Sequence, residues 1–141
     1  MLLCLIPSAG LSLAATGEEL IVRERHTFSC PDSPNCVSTM AATESQAIAP
    51  YRYQTSMEEA KALLKQVYGQ FPRTELSREE EDYLQYEVKS FLFGFVDDVE
   101  LWFDETAKII HFRSAARSGY YDFGVNRKRM EGVRQMLEGK L

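Results

Sequence analysis

An α+β fold is predicted for this chain by three observations. A capping box opens a run of apolar residues at helical spacing, four strand-like segments follow it, and a second amphipathic stretch closes the chain. The expected order is helix, four-stranded antiparallel sheet, helix, with both helices on one face of the sheet. An extended segment holding a disulfide would precede this body. A chain of 141 residues, 45% apolar and 26% charged, is long enough to bury a core and too short for two ordinary domains. Its formal net charge of -5 argues against bulk binding to nucleic acid or to an anionic membrane.

Residues 1–15, MLLCLIPSAGLSLAA, carry no charge and end in small residues, with Ser12 and Ala14 placed as a cleavage site would require. A cleaved export signal is expected there, although no basic residue precedes the apolar run and Pro7 interrupts it. The competing reading is a retained apolar arm or anchor. Residues 16–55 are expected to be an extended segment and 56–141 the α+β body, together one globular domain. Cys30 and Cys36 flank the residues PDSPN, an even pair behind an expected export signal, and a disulfide is predicted. A zinc site is disfavoured because His26 is the only imidazole nearby. Tyr51 and Tyr53 are the expected anchors of the stretch 37–55.

Ser56 and Glu59 form the capping box. Ala60, Leu63, Leu64, Val67, Tyr68 and Phe71 then define one helical face, which Gly69 and Pro72 terminate. Strands are predicted over 73–76, 83–91, 97–103 and 108–114, with the acidic run 77–82 separating the first two. A two-residue turn at Glu105–Thr106 would pair Phe103 with Lys108, Leu101 with Ile110 and Val99 with Phe112 on the core face. The other face would then pair Trp102 with Ile109, Glu100 with His111 and Asp98 with Arg113. The last helix is expected over about 127–138, its apolar side made by Met130, Val133, Met136 and Leu137. Between the second and third strands, Phe91–Val96 is more apolar than a connection needs. It would plug one end of the core or be exposed to a lipid or a partner.

Two groups of residues suggest chemistry. The stretch Arg113–Arg127 places arginines, glycines, tyrosines, an Asp and an Asn between a strand and a helix. From 113 to 141 the chain has seven Lys/Arg against three Asp/Glu, whereas residues 1–112 have nine against eighteen. Arg113, Arg117, Asp122, Asn126 and Arg127 are the candidate ligand-binding set, because guanidinium forks hold carboxylates or phosphates. Gly119 and Gly124 would turn the backbone and Tyr120 and Tyr121 would wall the ligand. Arg127, Lys128 and Arg129 fall in the expected first turn of the last helix, where cations are unfavourable but an anion would sit well. The competing reading is a network that pins the loop to the sheet. The second group, Asp97, Asp98, Glu100 and His111, has the composition of an acidic, metal-binding or acid–base cluster. Cross-strand pairing accounts for Asp98, Glu100 and His111 without chemistry.

The segments CPDSPNCVS at 30–38, I-x-P-x-x-Y at 48–53, FGFVDDVE at 93–100 and RSAARSGYYDFGVNR at 113–127 together resemble one family, the domain of unknown function number fourteen ninety-nine. The resemblance covers about two-thirds of the chain in the same order. It implies an extracytoplasmic or membrane-associated bacterial protein, with relatives in photosynthetic organelles and no established reaction. The family pattern usually reads RSASR where this chain has Ala116 in place of the second hydroxyl, which excludes a Ser nucleophile there. The leading expectation is thus a small exported binding or accessory module for an anionic ligand or an envelope protein, with no cofactor or metal. A hydrolase or transferase using Asp97, Asp98 or Asp122 with His111, and a structural envelope protein touching a membrane through Phe91–Val96, are the alternatives. A monomer is expected.

Overall fold

A computed structural model of the chain describes residues 28–141. The segment expected to be an export signal, and most of the stretch between it and Cys30, lie outside the described residues. The elements are β1 (Cys36–Ser38), β2 (Tyr51–Arg52), α1 (Met57–Tyr68), β3 (Thr74–Glu80), β4 (Tyr83–Lys89), β5 (Val96–Asp104), β6 (Ile109–Ala116) and α2 (Val125–Leu137). The fold is α+β. Its sheet has six strands rather than the four expected, in the order β1-β6-β5-β4-β3, with β2 also on the free side of β6. The two extra strands are too short to show a period in sequence. They exist because β6 offers them an edge: Cys36, Val37 and Ser38 pair with Ala115, Ser114 and Arg113, and Tyr51 and Arg52 with Ile110 and Ile109.

Strand β3 runs through the acidic stretch that the sequence assigned to a connection. Most of its side chains are exposed, and its pairing with β4 shifts between Leu76 and Arg78. A charged, bulged strand is how a sheet edge avoids pairing with other chains, so the charges mark an edge rather than a loop. The β5–β6 hairpin keeps its expected faces but slides by two residues. Phe103 lies opposite Ile110, Leu101 opposite Phe112, Trp102 opposite His111 and Glu100 opposite Arg113. The connection has four residues, not two: Lys108 adopts a left-handed φ of 56° and the Asp104 carboxylate accepts the Ala107 N–H at 3.0 Å. An even slip preserves the buried set, which is why hydrophobic pattern alone does not reveal it.

Ser56 and Glu59 cap α1 reciprocally, each backbone N–H reaching the other's side chain at 3.1 Å. Ala60, Leu64 and Val67 from α1 and Met130, Val133 and Leu137 from α2 share one core with Leu84, Tyr86, Val99, Leu101, Phe103, Ile110 and Phe112. The helix α2 packs over β1 and β6 and against α1. Tyr51 and Tyr53 are both buried. The Tyr51 hydroxyl donates to the Met130 carbonyl at 2.7 Å, tying β2 to α2, and its ring lies 4.5 Å from that of Phe112.

Cys30 and Cys36 are joined in a disulfide with a Cα separation of 5.8 Å, and Cys36 is buried at the start of β1. The bridge closes a short loop and holds β1 against β6. Replacing both cysteines by serine is expected to lower unfolding stability by roughly 2–3 kcal/mol. Urea melts of the oxidised protein and of the Cys30→Ser/Cys36→Ser variant measure this, and an unchanged midpoint would exclude the role.

Candidate functional site

The residues after β6 are organised by one buried amide. Asn126, on the first turn of α2, is fully buried. Its Oδ1 accepts from Ser114 Oγ at 2.7 Å and from Arg129 Nη1 at 2.7 Å. Its Nδ2 donates to Asp122 Oδ2 at 2.8 Å and to the Asn35 carbonyl at 3.3 Å. Every hydrogen-bonding position of the amide is therefore used. Arg129 extends the network with Nη2 to Asp97 Oδ2 at 2.6 Å. Asn35 extends it on the other side: its Nδ2 donates to the Gly119 carbonyl at 2.8 Å, and its carbonyl also accepts the Ala116 N–H at 2.9 Å. The disulfide loop, the last strand, the loop 117–124 and α2 are thereby joined through two asparagines.

The helix α2 begins two residues earlier than expected, and the anion at its start is part of the chain. Asp122 accepts the Gly124 N–H at 2.9 Å and the Asn126 N–H at 3.0 Å. Burial alone would raise its pKa, but these N–H groups and the Asn126 amide outweigh that and hold the carboxyl below its ordinary value. The turn into the helix needs positive φ at Gly119 (83°) and Gly124 (74°), and it also places Phe123 at 55°. For a bulky side chain that backbone costs roughly 1–3 kcal/mol. Packing does not repay it, because Phe123 is 78% exposed, its ring edge-on to that of Tyr121 with centres 4.9 Å apart.

The predicted arginines have internal partners. Arg117 makes two bonds to Asp98, at 3.0 and 2.6 Å, and one to Glu87 at 2.9 Å. Arg113 pairs with Glu100 at 2.8 Å rather than with Asp98, a consequence of the two-residue slip, and its Nε is buried without a hydrogen bond among the described residues. Arg127 donates to the carbonyls of Ser45 and Ala47 at 3.0 and 2.9 Å. Arg127, Lys128 and Arg129 thus do not act together: Arg129 turns inward, Arg127 secures the 45–47 segment, and Lys128 forms no ion pair with a described residue.

The acidic set does not converge. Asp97 faces Arg129 beneath the sheet, whereas Asp98 and Glu100 lie on the opposite face. Asp98 and His111 share that face but stand four residues apart along the hairpin, roughly 13 Å. His111 does not pair with Glu100. It stacks on Trp102 with ring centres 5.4 Å apart and shares a hydrogen bond with Thr39 Oγ1 at 3.2 Å. Burial there lowers its pKa, with Asp104 opposing weakly. No group of three or more His, Cys, Asp or Glu among the described residues is placed to hold a metal ion. Sequence reasoning missed Asn35, Ser114 and Arg129 as one network. The available signal was a polar Ser114 in step with the buried Ile110 and Phe112.

The surface left over is apolar. Of the ten large hydrophobic residues exposed among those described, eight lie in two segments: Phe91, Leu92, Phe93 and Phe95, then Tyr120, Tyr121, Phe123 and Val125. The first segment therefore does not plug the core. Both leave the same end of the sheet from adjacent strands, where the Arg117 N–H donates to the Val96 carbonyl at 2.9 Å. Beside the second segment lies a cleft of about 250 Å³ whose walls include Pro34, Ser45, Tyr121, Asp122, Arg127 and Lys128.

Asn126→Ala is expected to cost roughly 2–4 kcal/mol, because Ser114, Arg129 and Asp122 all lose a buried partner. Arg117→Ala, at an exposed pair, is expected to cost much less. Thermal and urea melts separate the two, and equal losses would contradict this hierarchy. Burial holds the His111 pKa below the ordinary 6.5, so stability should decline as pH falls below 6.5 towards the folded value. His111→Gln should flatten that slope in melts taken across this range.

The family model described as Protein of unknown function (DUF1499) matches residues 28–137. No curated protein and no solved structure matches the chain significantly. The matched span runs from Phe28 to Leu137 and takes in the disulfide loop, the sheet and the asparagine network. The chain belongs to the DUF1499 family.

Proposed function

We propose that this protein is a small exported binding module whose recognition surface is the apolar end of the sheet, with the Arg/Asp/Asn network as its frame. The observation that carries the reading is that, among the described residues, eight of the ten exposed large hydrophobics lie in two segments leaving the same end of the sheet. Patches of that kind on a folded domain mark interaction sites. Arg113, Arg117, Asp122, Asn126 and Arg127 support the reading indirectly: each is committed to an internal partner, and Arg117, Asp122 and Asn126 hold the loop that presents the aromatics. Lys128, on the wall of the cleft, forms no ion pair with a described residue and is placed to attract an anionic group. Export is supported by the Cys30–Cys36 disulfide, since such bridges persist in oxidising compartments.

Retention of the purified full chain by washed envelope fragments tests this. The wild type should sediment with the fragments, Arg117→Ala should behave like it, and Phe93→Ser/Tyr121→Ser/Phe123→Ser should be retained at least about tenfold less while its melting temperature holds. Undiminished retention of the triple variant would sink the reading.

A further inference from the structure

We infer that the occupant of this surface is the interface of an anionic lipid bilayer. The inference rests on the binding-module reading and adds the identity of the partner. The side chains concerned suit a bilayer interface: Tyr settles at the level of the headgroups, and Phe and Leu bury at the acyl boundary. They project instead of lining a groove: Phe91, Leu92 and Phe93 are each exposed by three-quarters or more. Knobs without a fixed arrangement of neighbours suit a medium that deforms around them, whereas a protein partner needs a matching set of holes.

Charge decides the choice further. Within 90–95 and 118–125 the only charged side chain is Asp122, and its carboxylate is taken up by the N–H groups of α2. The tips therefore carry no free charge to desolvate. Cations stand at their base: the Arg73 guanidinium carbon lies 5.3 Å over the Phe91 ring, and Lys128 edges the cleft beside Tyr121. Neither Arg73 nor Lys128 forms an ion pair with a described residue. An apolar tip with a cationic collar meets a bilayer in order of depth, rings among the acyl boundary and cations at the phosphates. The carboxylates nearest the tips, Asp97, Asp98 and Glu87, are paired with Arg129 and Arg117. Phe123 fits this arrangement and little else: its left-handed backbone turns an aromatic outward at the surface where the others project.

Vesicle flotation of the purified, oxidised full chain tests the inference, comparing phosphatidylcholine alone with phosphatidylcholine containing one-third phosphatidylglycerol. The wild type should float with the anionic vesicles. Phe93→Ser/Phe123→Ser should weaken binding by at least about tenfold, and Arg73→Glu/Lys128→Glu should remove the preference for the anionic vesicles. Phe123→Gly, which relieves the backbone, should melt at the same or a higher temperature and still bind more weakly, a combination that a merely structural role would not produce. The inference is overturned if the wild type stays at the bottom with both vesicles, or if Phe93→Ser/Phe123→Ser floats as the wild type does. Failure to float combined with aromatic-dependent retention on envelope fragments would leave the binding module standing with a protein as its partner.

Discussion

The amide of Asn126, buried among Ser114, Arg129, Asp122 and the Asn35 carbonyl, is the point at which the disulfide loop, β6, the loop 117–124 and α2 meet. A buried amide is costly unless all its valences are met, and here all are. That constraint works in both directions. Satisfying the amide requires the disulfide loop to bring Asn35 within reach, α2 to begin at Val125, and Asp122 to sit three residues before that start. Once these are in place, the loop 117–124 has its beginning, middle and end attached to fixed elements. The short strand β1 gains the same security, since the bridge to Cys30 and the Asn35 contacts hold it on β6.

Electrostatics follow from the same geometry. The sheet's core face takes Asp97 under α2, where Arg129 neutralises it. Its other face distributes Glu87, Asp98 and Glu100 to Arg117 and Arg113. A collection of charges that looks like a site in one dimension becomes two sets of pairs on opposite sides of a strand. The arginines pin the loop and leave its aromatics uncovered. Rigidity and exposure are linked here: a loop presenting Tyr120, Tyr121 and Phe123 to solvent gains little from its own packing, so polar attachments at its base must hold it.

Violations of local preference are concentrated at this end of the molecule. Phe123 has a backbone suited to glycine, and the apolar run 91–95 is outside the core although its composition would suit the inside. The basic first turn of α2, which also breaks a local rule, has a structural explanation in Asp122, Asp97 and the 45–47 carbonyls. Separating the violations that packing explains from those it does not moves the functional emphasis from guanidinium groups to rings.

By itself the sequence determined whatever depends on neighbours along the chain. The capping box at Ser56 and Glu59, the helical stripe from Ala60 to Val67, the alternation that buries Val99, Leu101 and Phe103, and the short cysteine loop are all local, and the structure reproduces them. The alternation names the buried face but is unchanged by a slip of two, so the turn geometry at Lys108 had to choose the register and with it every charge partner. Strands β1 and β2, the edge strand within an acidic run, and the meeting of Asn35 with Asn126 across 91 residues rest on pairings between distant segments. Composition marked Arg113–Arg127 as unusual. Only the tertiary structure decided that its polar residues turn inward to one another and its aromatic residues outward, because a hydrogen-bonding group is free or committed according to what the rest of the fold places beside it.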